Sequence, residues 1–170
     1  MPYFLRAIYN NILWDKTQFP SWLKEDELPS CIIRDLRADN NALSLWEIPD
    51  SDNESNLLDI IAAFISLRGD IKYDFDYALL SSDYLDDISF MPIKNPARTP
   101  YTIFNHYHFD IPNLSLNQVV YFAYLLSRHG IFGRTGWKDI LARLKEAHTR
   151  GQLDLRKMKP KLKKQLGIIE

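Results

Sequence analysis

A strongly apolar segment followed by a strictly alternating one constrains the fold of this chain more than any other feature. Nine of the thirteen residues from 56 to 68 are apolar, and the remaining four form one polar strip. A helix of this composition must be covered on most of its sides. Residues 71–79 then alternate between apolar and polar side chains, the period-two pattern of a half-buried strand. The sequence therefore predicts a buried helix packed against a sheet.

Similar patterns extend this core in both directions. Strands are predicted at 3–9, 43–48, 71–79 and 102–109, and helices at 28–37 and 56–68. This order favours an α/β or α+β domain with a single sheet of about four strands packed by helices.

The remainder of the chain reads as a helical extension. Ser115 and Gln118 match a capping box that opens a helix to Arg128, and the last 40 residues contain no strand pattern. We expect residues 1–112 to form the α/β core domain. Residues 113–170 would form a helical extension with a basic C-terminal segment, the two parts together making one unit.

Composition narrows the class of protein. With 46% hydrophobic and 25% charged residues, the 170-residue chain matches globular proteins and neither disordered nor membrane ones. The sequence predicts no membrane segment and no leader, so we expect a cytoplasmic protein. The single cysteine, Cys31, has no partner for a disulfide and is expected to be a buried, inert thiol. No glycine-rich phosphate loop is present, and no cofactor is predicted.

Three large aromatic residues lie close together before the first predicted helix. Trp14, Phe19 and Trp22 span nine residues. We expect them to pack on the core, since aromatic side chains bury much area. Exposed, they would form a patch for a binding partner instead.

Charge is divided unevenly along the chain. Residues 1–127 carry 9 basic and 18 acidic residues, whereas residues 128–170 carry 12 basic and 4 acidic ones. The basic end predicts binding of a polyanion, or contact with the chain's own acidic part. The candidate binding residues are Arg134, Lys138, Arg143, Lys145, Arg150, Arg156, Lys157, Lys159, Lys161, Lys163 and Lys164. Arg134 and Lys138 also flank a predicted helix N-terminus at Thr135, where free amides favour a phosphate.

A short histidine motif is the first candidate for chemistry. On a strand, His106, His108 and Asp110 would project from one face, and two imidazoles with a carboxylate can hold zinc or iron. The spacing resembles the first part of the metallo-β-lactamase motif. That motif continues with a histidine directly after the aspartate, where this chain has Ile111. The alternative is that both histidines lie on the polar side of an amphipathic strand.

A second candidate has the residue types of a magnesium-dependent nuclease. Asp50 and Asp70 supply carboxylates for the ion, and Lys72 can position the attacking water. In nucleases that this motif resembles, the two parts lie on adjoining strands, whereas here the apolar helix separates them. The alternative assigns Asp50 to a turn and Lys72 to a solvated strand face. His106, His108, Asp70 and Lys72 are thus the candidate catalytic residues.

Two functions from different classes follow. The first is a non-catalytic intracellular binding protein that regulates or neutralises another protein, with the acidic part suited to a basic partner. The second is a nucleic-acid-binding or nucleic-acid-processing protein that uses residues 134–164. The sequence favours a protein without enzymatic activity.

Overall fold

An antiparallel sheet of six strands lies between two layers of helices in the computed structural model. The structure describes residues 2–9, 14, 27–36, 42–49, 54–85 and 90–168. The strands within these ranges are β1 (Tyr3–Ala7), β2 (Leu43–Ile48), β3 (Phe75–Ser81), β4 (Ile93–Lys94), β5 (His108–Ile111) and β6 (Ile131–Thr135). They form one sheet in the order β4-β5-β2-β1-β3-β6. The fold is α+β, which confirms the coarser part of the predicted class.

The helices divide between the two faces of this sheet. They are α1 (Ser30–Asp35), α2 (Glu54–Ile65), α3 (Leu116–His129), α4 (Trp137–Thr149) and α5 (Pro160–Leu166). One face of the sheet carries Leu5 and Phe75, which share a hydrophobic core with α2, α4 and α5. The other face carries Phe4 and Leu80, which share a second core with α1 and α3. Strand side chains alternate between the two cores because successive residues point to opposite faces.

The second core corrects the prediction for 71–79. A half-buried strand over 71–79 would leave one face solvated, the face that carries Asp76 and Ala78, but Ala78 is fully buried and Asp76 is 7% exposed. The face they occupy packs in the core that contains α3. The strand also begins later than predicted, at Phe75.

Two further corrections concern strands. The fourth strand, predicted at 102–109, is wrong for residues 102–107, which form a 3₁₀ helix. The strand at this position is β5, which begins at His108 and extends to Ile111. The C-terminal segment contains β6, which pairs with β3 although no strand was predicted there. With β4 also unpredicted, the sheet has six strands rather than about four.

The structure also tests the predictions for the α3 capping box, the aromatic residues and membrane-spanning helices. Ser115 and Gln118 form the predicted capping box at the start of α3. Trp14 is buried, as expected for a core aromatic. Phe19, Trp22 and the side chain of Cys31 lie outside the described residues. No helix among the described residues is long and apolar enough to cross a bilayer.

Candidate functional site

The basic C-terminal segment is anchored to the body of the protein. Met158, Leu162 and Leu166 are buried in the same core as α2. The side-chain amide of Gln165 accepts a hydrogen bond from the backbone N–H of Ile71 at 2.9 Å and donates one to its carbonyl at 3.1 Å. These two hydrogen bonds between the Gln165 side chain and the Ile71 backbone fix α5 beside the residues that precede β3.

This anchoring creates a groove that joins two sets of candidate residues. Asp70, Lys72, Lys161, Lys164 and Gln165 line a depression of about 420 Å³. Lys72 Nζ lies 2.9 Å from Asp70 Oδ2. Asp70 and Lys72 of the nuclease hypothesis therefore lie on the same surface as two of the predicted binding lysines, Lys161 and Lys164. Asp50, the other carboxylate of the nuclease hypothesis, lies outside the described residues.

Charge pairing in the groove shifts two pKa values. The hydrogen bond from Lys72 lowers the pKa of the Asp70 carboxyl, and the nearby charge of Lys161 lowers it further. The same bond raises the pKa of Lys72. Both groups are therefore ionised at neutral pH, and Asp70 orients the Lys72 ammonium.

Three of the four predicted binding arginines donate hydrogen bonds to carboxylates within the protein. Arg134 holds Asp76 through bonds of 2.6 and 2.9 Å. Arg143 holds Asp59 through two bonds of 2.6 Å. Arg156 pairs with Asp154 at 3.0 Å. The hydrogen bond that each arginine donates to its carboxylate is the main cause of that arginine's raised pKa. These arginines stabilise contacts between or within elements of the fold.

The other predicted binding residues are mainly exposed lysines. Arg150 lies 3.7 Å from Glu146, and the Lys157 ammonium lies 4.0 Å from Asp154. Lys138 lies 5.7 Å from the centre of the Trp137 ring. Lys163 is half-buried, and the rest are exposed: Lys138, Lys145, Arg150, Lys157, Lys159, Lys161 and Lys164.

The N-terminus of α4 has an internal partner. Gly136, not Thr135, is the N-cap residue, and glycine has no side chain that could accept a capping hydrogen bond. Asp74 Oδ1 accepts the hydrogen bond of the Trp137 N–H at 3.0 Å. A carboxylate of the chain thus takes the position that the sequence offered to an external phosphate.

The histidine motif does not lie on one strand. His106 is exposed in the 3₁₀ helix, whereas His108 and Asp110 belong to β5. His108 Nδ1 donates to the Asn95 carbonyl at 2.5 Å, and Asp110 accepts from Ser44 Oγ at 3.0 Å. The premise that these residues share a strand face is wrong for His106.

The pairs around β5 are those of a sheet rather than of a metal centre. His108 lies opposite Trp46 in the register, and their rings meet edge to face at 5.2 Å. Within the described ranges, no three His, Cys, Asp or Glu side chains are grouped so that they could hold a metal ion. The contacts of His108 with Asn95 and Trp46, and of Asp110 with Ser44, hold β5 against its neighbours in the sheet.

The sequence did not reveal a second surface feature, an apolar groove between α1 and α3. It has a volume of about 700 Å³ and is lined by Glu27, Leu28, Ser30, Ile33, Asn117, Val120, Tyr121 and Tyr124. A signal was present in the sequence, because Asn117, Tyr121 and Tyr124 recur at helical spacing opposite the buried Phe122.

Comparison of the chain with protein-family models, with curated proteins and with solved structures found no match.

Proposed function

We propose that this protein is a non-catalytic binding protein that recognises another protein through the groove between α1 and α3. The exposed apolar surface of α3 carries the proposal. Val120 and Tyr121 line the groove and are 40% and 39% exposed, and Leu116, one turn earlier on the helix, is 71% exposed. Apolar side chains grouped in this way are typical of a site of association.

The composition of the groove supports a protein as the ligand. It contains two tyrosines, and among the described residues that line it Glu27 is the only charged one. Centres of protein interfaces are enriched in tyrosine and depleted of charge. Fixed aromatic side chains in such positions often contribute most of the binding energy.

Contacts inside the protein hold these aromatic rings in place. The Tyr121 ring stacks on Phe90 with centroids 5.8 Å apart, and Phe90 is 1% exposed. The Arg128 guanidinium lies 5.6 Å from the centre of the Tyr124 ring. Because the rings are already ordered, little conformational freedom remains to be lost on binding.

The ionisable groups of the fold support binding rather than catalysis. Asp59, Asp76 and Asp110 each accept hydrogen bonds from side chains of neighbouring elements. The excess of acidic residues in residues 1–127 adds a long-range field that attracts a basic partner. We infer a partner that presents an apolar segment with basic flanks, such as an enzyme that acts on nucleic acid, which this protein would regulate or neutralise.

A pair of matched variants tests this proposal. Val120→Asp places a charge in the groove, whereas Ile93→Asp places one on β4, where Ile93 is 57% exposed and does not line the groove. We expect a partner protein from cells to co-purify with the wild type and with Ile93→Asp, and not with Val120→Asp. After identification, the reconstituted complex should show at least about tenfold weaker affinity for Val120→Asp. Equal affinities for the two variants would contradict the proposal.

Nucleic-acid binding through residues 134–164 is the second candidate, and the lysine-rich surface around α5 favours it. Lys159, Lys161 and Lys164 are exposed on or next to a short helix that is held firmly against the core. Several such cations support sequence-independent affinity for phosphates. A binding titration over a range of salt concentrations tests it, since the affinity must fall steeply as salt rises.

A further inference from the structure

Two segments that are far apart in the chain form one basic groove. Residues 70–72 precede β3, and Lys161 and Lys164 belong to α5. On a helix, positions three and four residues apart lie on one face, so Lys161, Lys164 and Gln165 are presented together. Because Gln165 binds both backbone groups of Ile71, this helix face is fixed against the Lys72 segment.

The groove retains a positive charge after its internal pairing. Three lysines and one aspartate line it. Asp70 neutralises one charge and holds Lys72 in place through the bond of 2.9 Å. Two positive charges are left for a ligand, and a flexible ammonium group is well suited to a phosphate oxygen.

An exposed aromatic ring adjoins this charge. A second, smaller depression of about 170 Å³ shares Asp70 and Lys72 with the groove and is also lined by Arg68 and Tyr73. Tyr73 is 79% exposed. A tyrosine beside a basic groove provides a stacking surface for an unpaired base.

We propose that this groove binds the phosphate backbone of single-stranded nucleic acid, with Lys72, Lys161 and Lys164 contacting phosphates and Tyr73 stacking on a base. The inference rests on the second candidate function and assigns it to a defined site. Single strands are favoured over duplex because a base paired inside a helix does not expose its face to Tyr73.

Fluorescence anisotropy with a labelled 12-nucleotide oligothymidylate tests the site between 25 and 200 mM salt. Lys161→Gln/Lys164→Gln should weaken binding about tenfold at 50 mM salt. It should also flatten the slope of log affinity against log salt by about 1.4, or about 0.7 for each lost phosphate contact. The matched control Lys138→Gln/Lys145→Gln removes the same charge from α4 and should change the slope by less than half as much.

Two single variants test the other members of the site. Lys72→Gln, on the opposite segment, should flatten the slope by about 0.7 and provides an independent test if the α5 double variant does not fold. Tyr73→Ala should weaken binding of the oligothymidylate about tenfold and leave binding of a duplex of equal length nearly unchanged.

The outcomes separate this site from the function on which it rests. Absence of binding at 25 mM salt would overturn both. Tight, salt-sensitive binding that the α4 control weakens as much as the groove variants would keep the second candidate function and overturn the groove. Stronger binding to duplex than to the oligothymidylate, or equal displacement by polyglutamate, would also overturn the proposed ligand.

Discussion

Arg143 on α4 binds Asp59 on α2 through two parallel hydrogen bonds of 2.6 Å, although 84 residues separate them in the chain. Tyr101 donates a third bond to the same carboxylate at 2.9 Å. The side chains of Arg143 and Asp59 are only 16% and 10% exposed. This pair joins the two helices that cover one face of the sheet.

Removing one member of this pair should destabilise the protein strongly. Arg143→Met leaves the Asp59 carboxylate desolvated without its main partner, so we expect the free energy of unfolding to fall by about 3 kcal/mol. Equilibrium urea unfolding measures the change. Arg156→Met is the matched control, because Arg156 is 91% exposed in its pair with Asp154, so its loss should change stability far less than the loss of Arg143. Similar losses for both variants would contradict this role of Arg143.

The environment of Tyr101 should make stability depend on pH in the alkaline range. Burial is the main cause of the raised pKa of the Tyr101 hydroxyl, and its bond to Asp59 adds to the rise. The folded state thus favours the neutral phenol, and its stabilising effect is complete below the unfolded-state pKa of about 10. As the pH rises above that value, the unfolded chain releases the proton more readily, and stability falls.

Urea unfolding at pH 8 and at pH 10.5 measures this loss. In Tyr101→Phe this position has no hydroxyl to titrate. The free energy of unfolding of this variant should therefore fall less between pH 8 and pH 10.5 than that of the wild type. Tyr73→Phe, at an exposed position, is the control and should behave as the wild type does. An identical pH dependence for Tyr101→Phe and the wild type would rule out Tyr101 as the cause.

The strand β6 depends on a close approach between Gly133 and the ring of Tyr77 on β3. The two residues are register partners, and a Cβ at position 133 would overlap the ring. We expect Gly133→Ala to lower the free energy of unfolding by about 1–3 kcal/mol, because the ring or the edge strand must move. In a Tyr77→Ala background the same substitution should cost much less. Gly69→Ala, where the added Cβ makes only ordinary contact, is the control.

The same contact explains why β6 could not be predicted from the sequence. Glycine is depleted in strands, so Gly130 and Gly133 argue against a strand in this segment. The ring that Gly133 accommodates belongs to Tyr77, which is far away in the chain. The 3₁₀ helix at 102–107 was missed for a different reason. The aromatic and β-branched residues of 102–109 favour a strand, but Asn105 Oδ1 accepts hydrogen bonds from the N–H and the hydroxyl of Thr99, six residues earlier, which favours a tight turn.

Local signals were sufficient where one segment determines its own structure. The capping box of α3 and the apolar pattern of α2 predicted those helices. The candidate site was predictable only as residue types. Lys161 and Lys164 were chosen for their charge, and Asp70 and Lys72 for a motif. That the two sets meet depends on the contact between Gln165 and Ile71, which no local pattern encodes.

Gln165 should therefore control both the stability of α5 and the geometry of the basic groove. Gln165→Leu keeps the apolar part of the side chain but leaves the N–H and the carbonyl of Ile71 without these two bonds, so we expect a loss of about 1–3 kcal/mol. Amide hydrogen exchange should show faster exchange at Ile71 and across α5. The neighbouring variant Lys164→Gln, which leaves both bonds intact, should not change exchange at Ile71. Unchanged protection of Ile71 in Gln165→Leu would show that the core contacts of Leu162 and Leu166 alone hold the helix in place.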